Sequence, residues 1–174
     1  WLRVQVLGDT GACPLVMLHG MHDVGETLAP IAEELAKRFR VFVPDLRGHG
    51  ESDRSPVYSL PGFVYDLIRT LDHFDLEAPF LFGHSLGGQI LTRFCAMYPS
   101  RVRALVAVEG LGPPDSRAMV GRDGDPGSDI RAEGRHLLAT FSAKDRTLPS
   151  LEFAAQRLCA NNPRLDFQHA DKLA

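Results

Sequence analysis

The sequence predicts an α/β fold, a parallel sheet crossed by helices, with a helical cap behind it. Three observations predict it. Short apolar, β-rich runs alternate with helix-periodic segments over residues 1–110. One such junction, Phe80-Leu81-Phe82-Gly83-His84-Ser85-Leu86-Gly87-Gly88, reads as a buried strand running straight into Gly-x-Ser-x-Gly and then a helix. After Glu109 the character changes: Gly110–Ser128 is rich in Gly, Pro and Asp, and the segments beyond it read as helices without strands between them. The best boundary therefore lies near Gly110, with a sheet-based core over 1–110 and a partial cap over 111–174.

Each element follows from its pattern. Leu2–Leu7 is a first strand, closed by the turn Gly8-Asp9-Thr10-Gly11. Pro14–Leu18 is a second. Glu26–Phe39 carries Leu28, Ile31, Leu35 and Phe39 at helical spacing, which gives one apolar face. Arg40–Val43 is a third strand, ended by Pro44, and a loop rich in Gly and charge runs from Asp45 to Val57. Pro61–Phe74 repeats the helical period through Val64, Leu67, Ile68, Leu71 and Phe74. Pro79–Phe82 leads into the Ser85 turn, Leu86–Tyr98 is the helix after it, and Ala104–Val108 is the next strand. Ile130–Thr140 and Leu151–Cys159 are helical, and Asp166–Leu173 begins a third helix.

Composition excludes several classes. The 174 residues, 44% hydrophobic and 24% charged, suffice for one domain with a substantial core. A formal net charge of −3 without a basic block speaks against a nucleic-acid partner. The longest apolar runs are too short to span a bilayer. No basic-then-apolar leader is visible, and the start at Trp1 rather than Met implies a natural N-terminus further upstream. The expected location is cytoplasmic. Three widely spaced cysteines, Cys13, Cys95 and Cys159, argue against a disulfide framework and are expected to be buried, inert thiols. No metal-ligand spacing occurs, and no cofactor is called for.

Ser85 is the candidate nucleophile. A serine at the apex of a strained strand-to-helix turn projects its hydroxyl outward, while Gly83 and Gly87 leave room where the two backbones converge. A serine needs a base, an acid that orients the base, and donors for the oxyanion. The Leu86 N–H, just after the nucleophile, is one candidate donor. The second comes from the loop after Pro14–Leu18, His19-Gly20-Met21-His22-Asp23, with the Met21 N–H as the natural choice and Gly20 permitting close approach. His19 reads as a loop-stabilising hydrogen-bonder rather than a catalyst. The His84 ring is expected to pack beneath the turn.

Four segments together resemble the α/β-hydrolase superfamily: Leu18-His19-Gly20, Pro44-Asp45-Leu46-Arg47-Gly48-His49-Gly50-Glu51-Ser52-Asp53, Gly83-His84-Ser85-Leu86-Gly87-Gly88 and Val106-Ala107-Val108-Glu109-Gly110. The resemblance covers residues 1 to about 110, and their order fits that fold's third to sixth strands. It implies a doubly wound, mostly parallel sheet with helices on both faces and a cap after the sixth strand. It also makes the Asp45–Asp53 loop a structural turn, with Arg47 and His49 in it, and with Asp45, Asp53 and Arg54 serving loop hydrogen bonds or surface pairs.

Glu109 ends a wholly apolar strand, on the side of the sheet where open α/β sheets build their sites. Two readings stand. In some members of the resembled superfamily a carboxylate here is the triad acid; otherwise Glu109 caps the entry to the cap and pairs with an Arg such as Arg117. The chain order of this fold is Ser, acid, His. Only His136 and His169 follow Glu109, and neither follows a buried strand. The catalytic histidine is therefore expected outside this chain, along with the seventh and eighth strands, so the chain is truncated and inactive alone.

The resemblance thus implies a serine hydrolase that cleaves carboxylic esters or related acyl compounds through a Ser-acid-His triad and an acyl-enzyme. A serine at this position speaks against the relatives that use an Asp nucleophile. The alternative is a non-catalytic small-molecule binding protein, or an inactive fragment on the same fold, whose open sheet edge would favour association. Apolar cap residues such as Leu137, Leu138, Phe141, Phe153 and Leu158 fit an apolar substrate group and ordinary helix packing alike.

Overall fold

A computed structural model of the chain describes residues 1–110, 149–161, 166–168 and 170. Contacts divide the chain into two compact units, Trp1–Asp115 and Ser116–Ala174.

The first unit is built on five strands: β1 (Val4–Leu7), β2 (Cys13–Leu18), β3 (Phe39–Pro44), β4 (Phe80–His84) and β5 (Ala104–Val108). Their order in the sheet is β1-β3-β2-β4-β5. β1 runs antiparallel to β3, and every other pair is parallel. The parallel pairs need crossover connections, which three helices supply: α1 (Ala29–Leu35), α2 (Leu60–His73) and α3 (Leu86–Met97).

The strand side chains alternate between two cores, because successive residues of a strand point to opposite faces. Val16, Leu18, Phe42 and Leu81 point to one face. There they meet Phe63, Val64, Leu67 and Leu71 of α2 and Leu86, Ile90, Leu91 and Phe94 of α3. Leu15, Met17, Val41 and Val43 point to the other face and meet Leu28, Ala32 and Leu35. The sheet is thus doubly wound, as expected. Phe42, Leu71, Ile90, Leu91 and Phe94 are wholly buried. Each such side chain contributes roughly 1.5–3 kcal/mol by leaving water.

The helix expected over Glu26–Phe39 is shorter and divided. A 3-10 turn occupies Gly25–Leu28, and α1 begins at Ala29 with Pro30 in its first turn, where a missing N–H does no harm. Ile31, expected on the apolar face, is 46% exposed, and the buried stripe runs instead through Leu28, Ala32 and Leu35. Phe39 belongs to β3, where it pairs with Cys13. Pro44 does not end that strand early: it is its last residue, paired with Val4 on the antiparallel side. α2 begins one residue before the expected Pro61, with Ser59 Oγ accepting from the Gly62 N–H at 3.2 Å.

In the second unit the helix expected over Leu151–Cys159 runs over Leu151–Asn161 (α4). Residues 167, 168 and 170 are helical. The expected Ile130–Thr140 helix, most of the proposed cap, and Arg117, His136 and His169 lie outside the described residues. No helix among the described residues is long and apolar enough to cross a membrane.

The cysteines correct one expectation. Cys13 is exposed, and Cys95 and Cys159 are half-buried. Cys13 is the first residue of β2, at the rim of the sheet rather than in its interior, with Arg103 Nη1 3.6 Å from its sulfur. Burial pushes the Cys95 thiol up.

Candidate active site

The strand order sets the place of the site. From the central β2 the chain leaves towards β3 on one side, while β4 leads to β5 on the other. The carboxyl ends of β2 and β4 therefore flank a topological switch point, where the outgoing loops separate and leave a crevice. The parallel register pairs Leu18 with Gly83, which brings His19-Gly20-Met21 beside His84-Ser85-Leu86.

Ser85 sits at the turn with φ 48° and ψ −109°. This is the left-handed side of backbone space, which a side chain rarely adopts and which costs of order 1–3 kcal/mol. The neighbours hold it there. The Ser85 N–H donates to Val108 O at 2.8 Å, the Gly87 N–H to His19 O at 3.1 Å and the Gln89 N–H to Ser85 O at 3.0 Å. The hydroxyl does not cap α3, and among the described residues Oγ has no hydrogen-bond partner.

The elbow glycines are required by space. A Cβ on Gly87 would stand 2.3 Å from Leu18 O, and one on Gly83 would stand 2.6 Å from Gly88 N. A further pair lies behind the turn. A Cβ on Gly88 would meet the Gly110 Cα at 2.6 Å, and one on Gly110 would meet the Gly88 Cα at 2.3 Å.

Two N–H groups at the mouth are uncommitted. The Ser85 and Gly87 amides are taken, but the Leu86 N–H between them has no acceptor among the described residues, and neither has the Met21 N–H. Met21 itself is 48% exposed.

His19 is wholly buried and acts as a strut, as its sequence position suggested. Its Nε2 accepts from the Leu46 N–H at 2.9 Å, so the proton sits on Nδ1, which donates to Gly20 O at 2.8 Å. The ring is thus held as the neutral tautomer and ties the β2 loop to the β3 loop. Burial lowers its pKa, helped by the nearby His49 and opposed by the bond to Gly20 and by Asp45 and Asp23. His49 stands edge-on to it with ring centroids 5.2 Å apart.

The Asp45–Asp53 loop is knit by the same kind of contact. Asp45 is buried rather than a surface group: its carboxylate accepts from the Gly25 N–H at 2.7 Å and the Glu51 N–H at 3.1 Å. Arg47 makes a two-pronged pair with Asp66 on α2, at 2.6 and 2.7 Å, which raises the Arg47 pKa further.

His84 departs from expectation. Its ring is not packed beneath the turn; the side chain is 40% exposed and its Nδ1 faces Asp23 Oδ2 at 3.6 Å. His84 is the last residue of β4, and there its side chain meets the β2 loop. Asp23 was not singled out from the sequence, and an acid three residues past Gly20 is the only signal that could have marked it. Glu109 directly follows β5, is exposed and takes φ 55°. Among the described residues no histidine is bonded to Ser85, and no group of three or more His, Cys, Asp or Glu could hold a metal ion. Two open clefts, of about 320 and 250 Å3, lie elsewhere and are not lined by Ser85.

Residues 14–156 match the family model described as the alpha/beta hydrolase fold. An esterase of Escherichia coli (strain K12), YbfF, is 32% identical over 102 residues, covering 59% of this chain and 40% of that protein. A serine hydrolase-like protein of Danio rerio is 29% identical over 177 residues, covering 99% of this chain and 53% of that protein. Among solved structures, the thioesterase domain from the curacin biosynthetic pathway superposes with a TM-score of 0.78 at 24% identity, over 99% of this chain and 62% of that one. The chain thus spans about half or less of the length of these two curated relatives.

Proposed function

The chain belongs to the α/β-hydrolase family, and on that premise we propose that it carries the nucleophile half of a serine hydrolase for carboxylic esters or related acyl compounds. The observation that carries this reading is Ser85 itself. A serine held at φ 48° whose hydroxyl has no partner among the described residues, one residue before an N–H that likewise has none among them, is an arrangement that a purely structural turn has no need to keep.

The residues take the following roles. Ser85 Oγ attacks the carbonyl carbon of the substrate, and its proton passes to a histidine base supplied from outside the described residues. The carbonyl oxygen becomes an oxyanion and is received by the Leu86 and Met21 N–H groups. The tetrahedral intermediate collapses, the C–O bond to the leaving group breaks, and the base returns its proton to the departing alcohol. Water then attacks the acyl-enzyme by the same route in reverse and frees the acid and Ser85. Glu109, at the carboxyl end of β5, is the acid that would orient the base. The name of the E. coli esterase supports the ester class, and that of the Danio rerio protein supports a serine hydrolase.

The test is covalent labelling of the protein at its natural length with a fluorophosphonate, followed by intact-mass and peptide mapping. One phosphonyl group on Ser85, absent from Ser85→Ala, is expected. Full ester turnover by Ser85→Ala would overturn the proposal.

A further inference from the structure

That scheme leaves one carboxylate–imidazole contact at the mouth unused. Asp23 and His84 come from opposite sides of the switch point. His84 ends β4, one residue before the nucleophile, and Asp23 lies in the loop after β2, two residues beyond Met21. Their facing atoms are 3.6 Å apart, within ion-pair range but too long for a hydrogen bond. Gly20 lies between them. A Cβ there would stand 2.8 Å from Asp23 Oδ2 and 2.9 Å from His84 Nδ1, so a glycine lets the two side-chain ends approach across the loop without shifting.

The loop is a tight turn with one firm root. The Asp23 N–H donates to Gly20 O at 3.3 Å, and the same oxygen takes the His19 Nδ1–H. At its base the loop is tied to the elbow helix by the Gly87 N–H on His19 O. Met21 lies two residues out from that tie, with its own N–H unbonded among the described residues. Beyond Met21 the His22 N–H donates to His49 Nε2 at 3.4 Å, which ties the loop to the β3 loop but not to the elbow; a tie to the elbow on that far flank removes the remaining freedom. The Asp23–His84 pair occupies that far flank.

We infer that Asp23 and His84 are positioning residues: their contact clamps the β2 loop against the elbow and so fixes the separation of the Met21 and Leu86 N–H groups. The inference rests on the serine-hydrolase reading, because only there does that separation matter. The pair is partly exposed and contributes little to global stability. Its effect falls on the transition state, where a donor displaced by a fraction of an ångström no longer meets the oxyanion.

The experiment compares wild type, Asp23→Asn, His84→Asn and the double variant, all at the protein's natural length. It measures kcat and KM for a p-nitrophenyl ester, the rate of Ser85 phosphonylation, and a thermal melt. Each single variant should lower kcat about tenfold with KM nearly unchanged, since an interaction that matters only in the transition state shows in kcat. The double variant should lose no more than either single one, because the two groups act as a unit. Asp23→Glu, which keeps the charge, should recover part of the loss, and the melts should stay together. Variants with wild-type kcat, a change confined to KM, or independent losses that multiply in the double variant would overturn the clamp while leaving the hydrolase reading intact. A folded wild-type protein that neither turns over ester nor takes the label would overturn both.

Discussion

The strained turn at Ser85 makes a stability prediction that is separable from catalysis. Two substitutions, Ser85→Ala and Ser85→Gly, remove the hydroxyl alike, but only the second removes the Cβ. The hydroxyl has no partner among the described residues, so its loss alone should leave stability near wild type. At φ 48° and ψ −109° the Cβ carries the strain, of order 1–3 kcal/mol. Glycine relieves it but gives the unfolded chain more freedom than alanine does, a loss of about 0.4–1 kcal/mol. Relief wins by about 1 kcal/mol, so Ser85→Gly should be more stable than Ser85→Ala. For a chain of this size that difference raises Tm by about 2–4 °C. Urea titrations and thermal melts of the two variants, with equal m values as a check on the unfolded state, measure it directly. A glycine variant that melts at or below the alanine variant would refute the claim that the turn stores strain.

Two further outcomes follow from the same region. Gly87→Ala gains about 1 kcal/mol of helix propensity, yet its Cβ would press on backbone atoms of Leu18 at 2.3 and 2.6 Å, which cannot rotate away. Overpacking should dominate, with a net loss of about 2 kcal/mol read in a urea titration, and an unchanged midpoint would contradict it. His19 predicts the pH response. Burial sets its folded pKa below the ordinary 6.5, so between the two values the unfolded state binds more protons. Its contribution to stability should be complete above pH 6.5 and fall as the pH drops below that towards the lowered folded value. The unfolding free energy of wild type from pH 7 to 5 should show this slope, and His19→Gln should lack it; parallel curves would remove His19 as the cause.

Much of the core could be read from the chain because its signals are local. The alternation of Leu15-Val16-Met17-Leu18 is enough to split one strand between two cores, and glycines on either side of Ser85 are enough to mark a tight turn. The α/β class and the sheet-and-helix order needed only such patterns. Features that depend on distant partners were harder to read. Ile31 has the right spacing for an apolar face, but Pro30 starts the helix anew and α1 turns Ala32 inward instead. Asp45 looks like any loop carboxylate until the Gly25 N–H, 20 residues away, is found on it. The His84 ring was expected beneath the turn, and only the fold of the β2 loop brings Asp23 to meet it instead. The nucleophile was legible as a motif, whereas the partners that would make it reactive are set by tertiary contact.

The apposed glycines behind the elbow bear on how this surface can change over generations. Gly88 and Gly110 stand 22 positions apart in the chain, yet each fits only because the other lacks a side chain. A larger residue at one would ordinarily be rescued by a smaller one opposite. Here the opposite residue is already the smallest there is, so no compensating exchange exists. A side chain at either position would press on the backbone of the other, and the end of β5, with Glu109 between Val108 and Gly110, is thereby held in close apposition to the nucleophile turn.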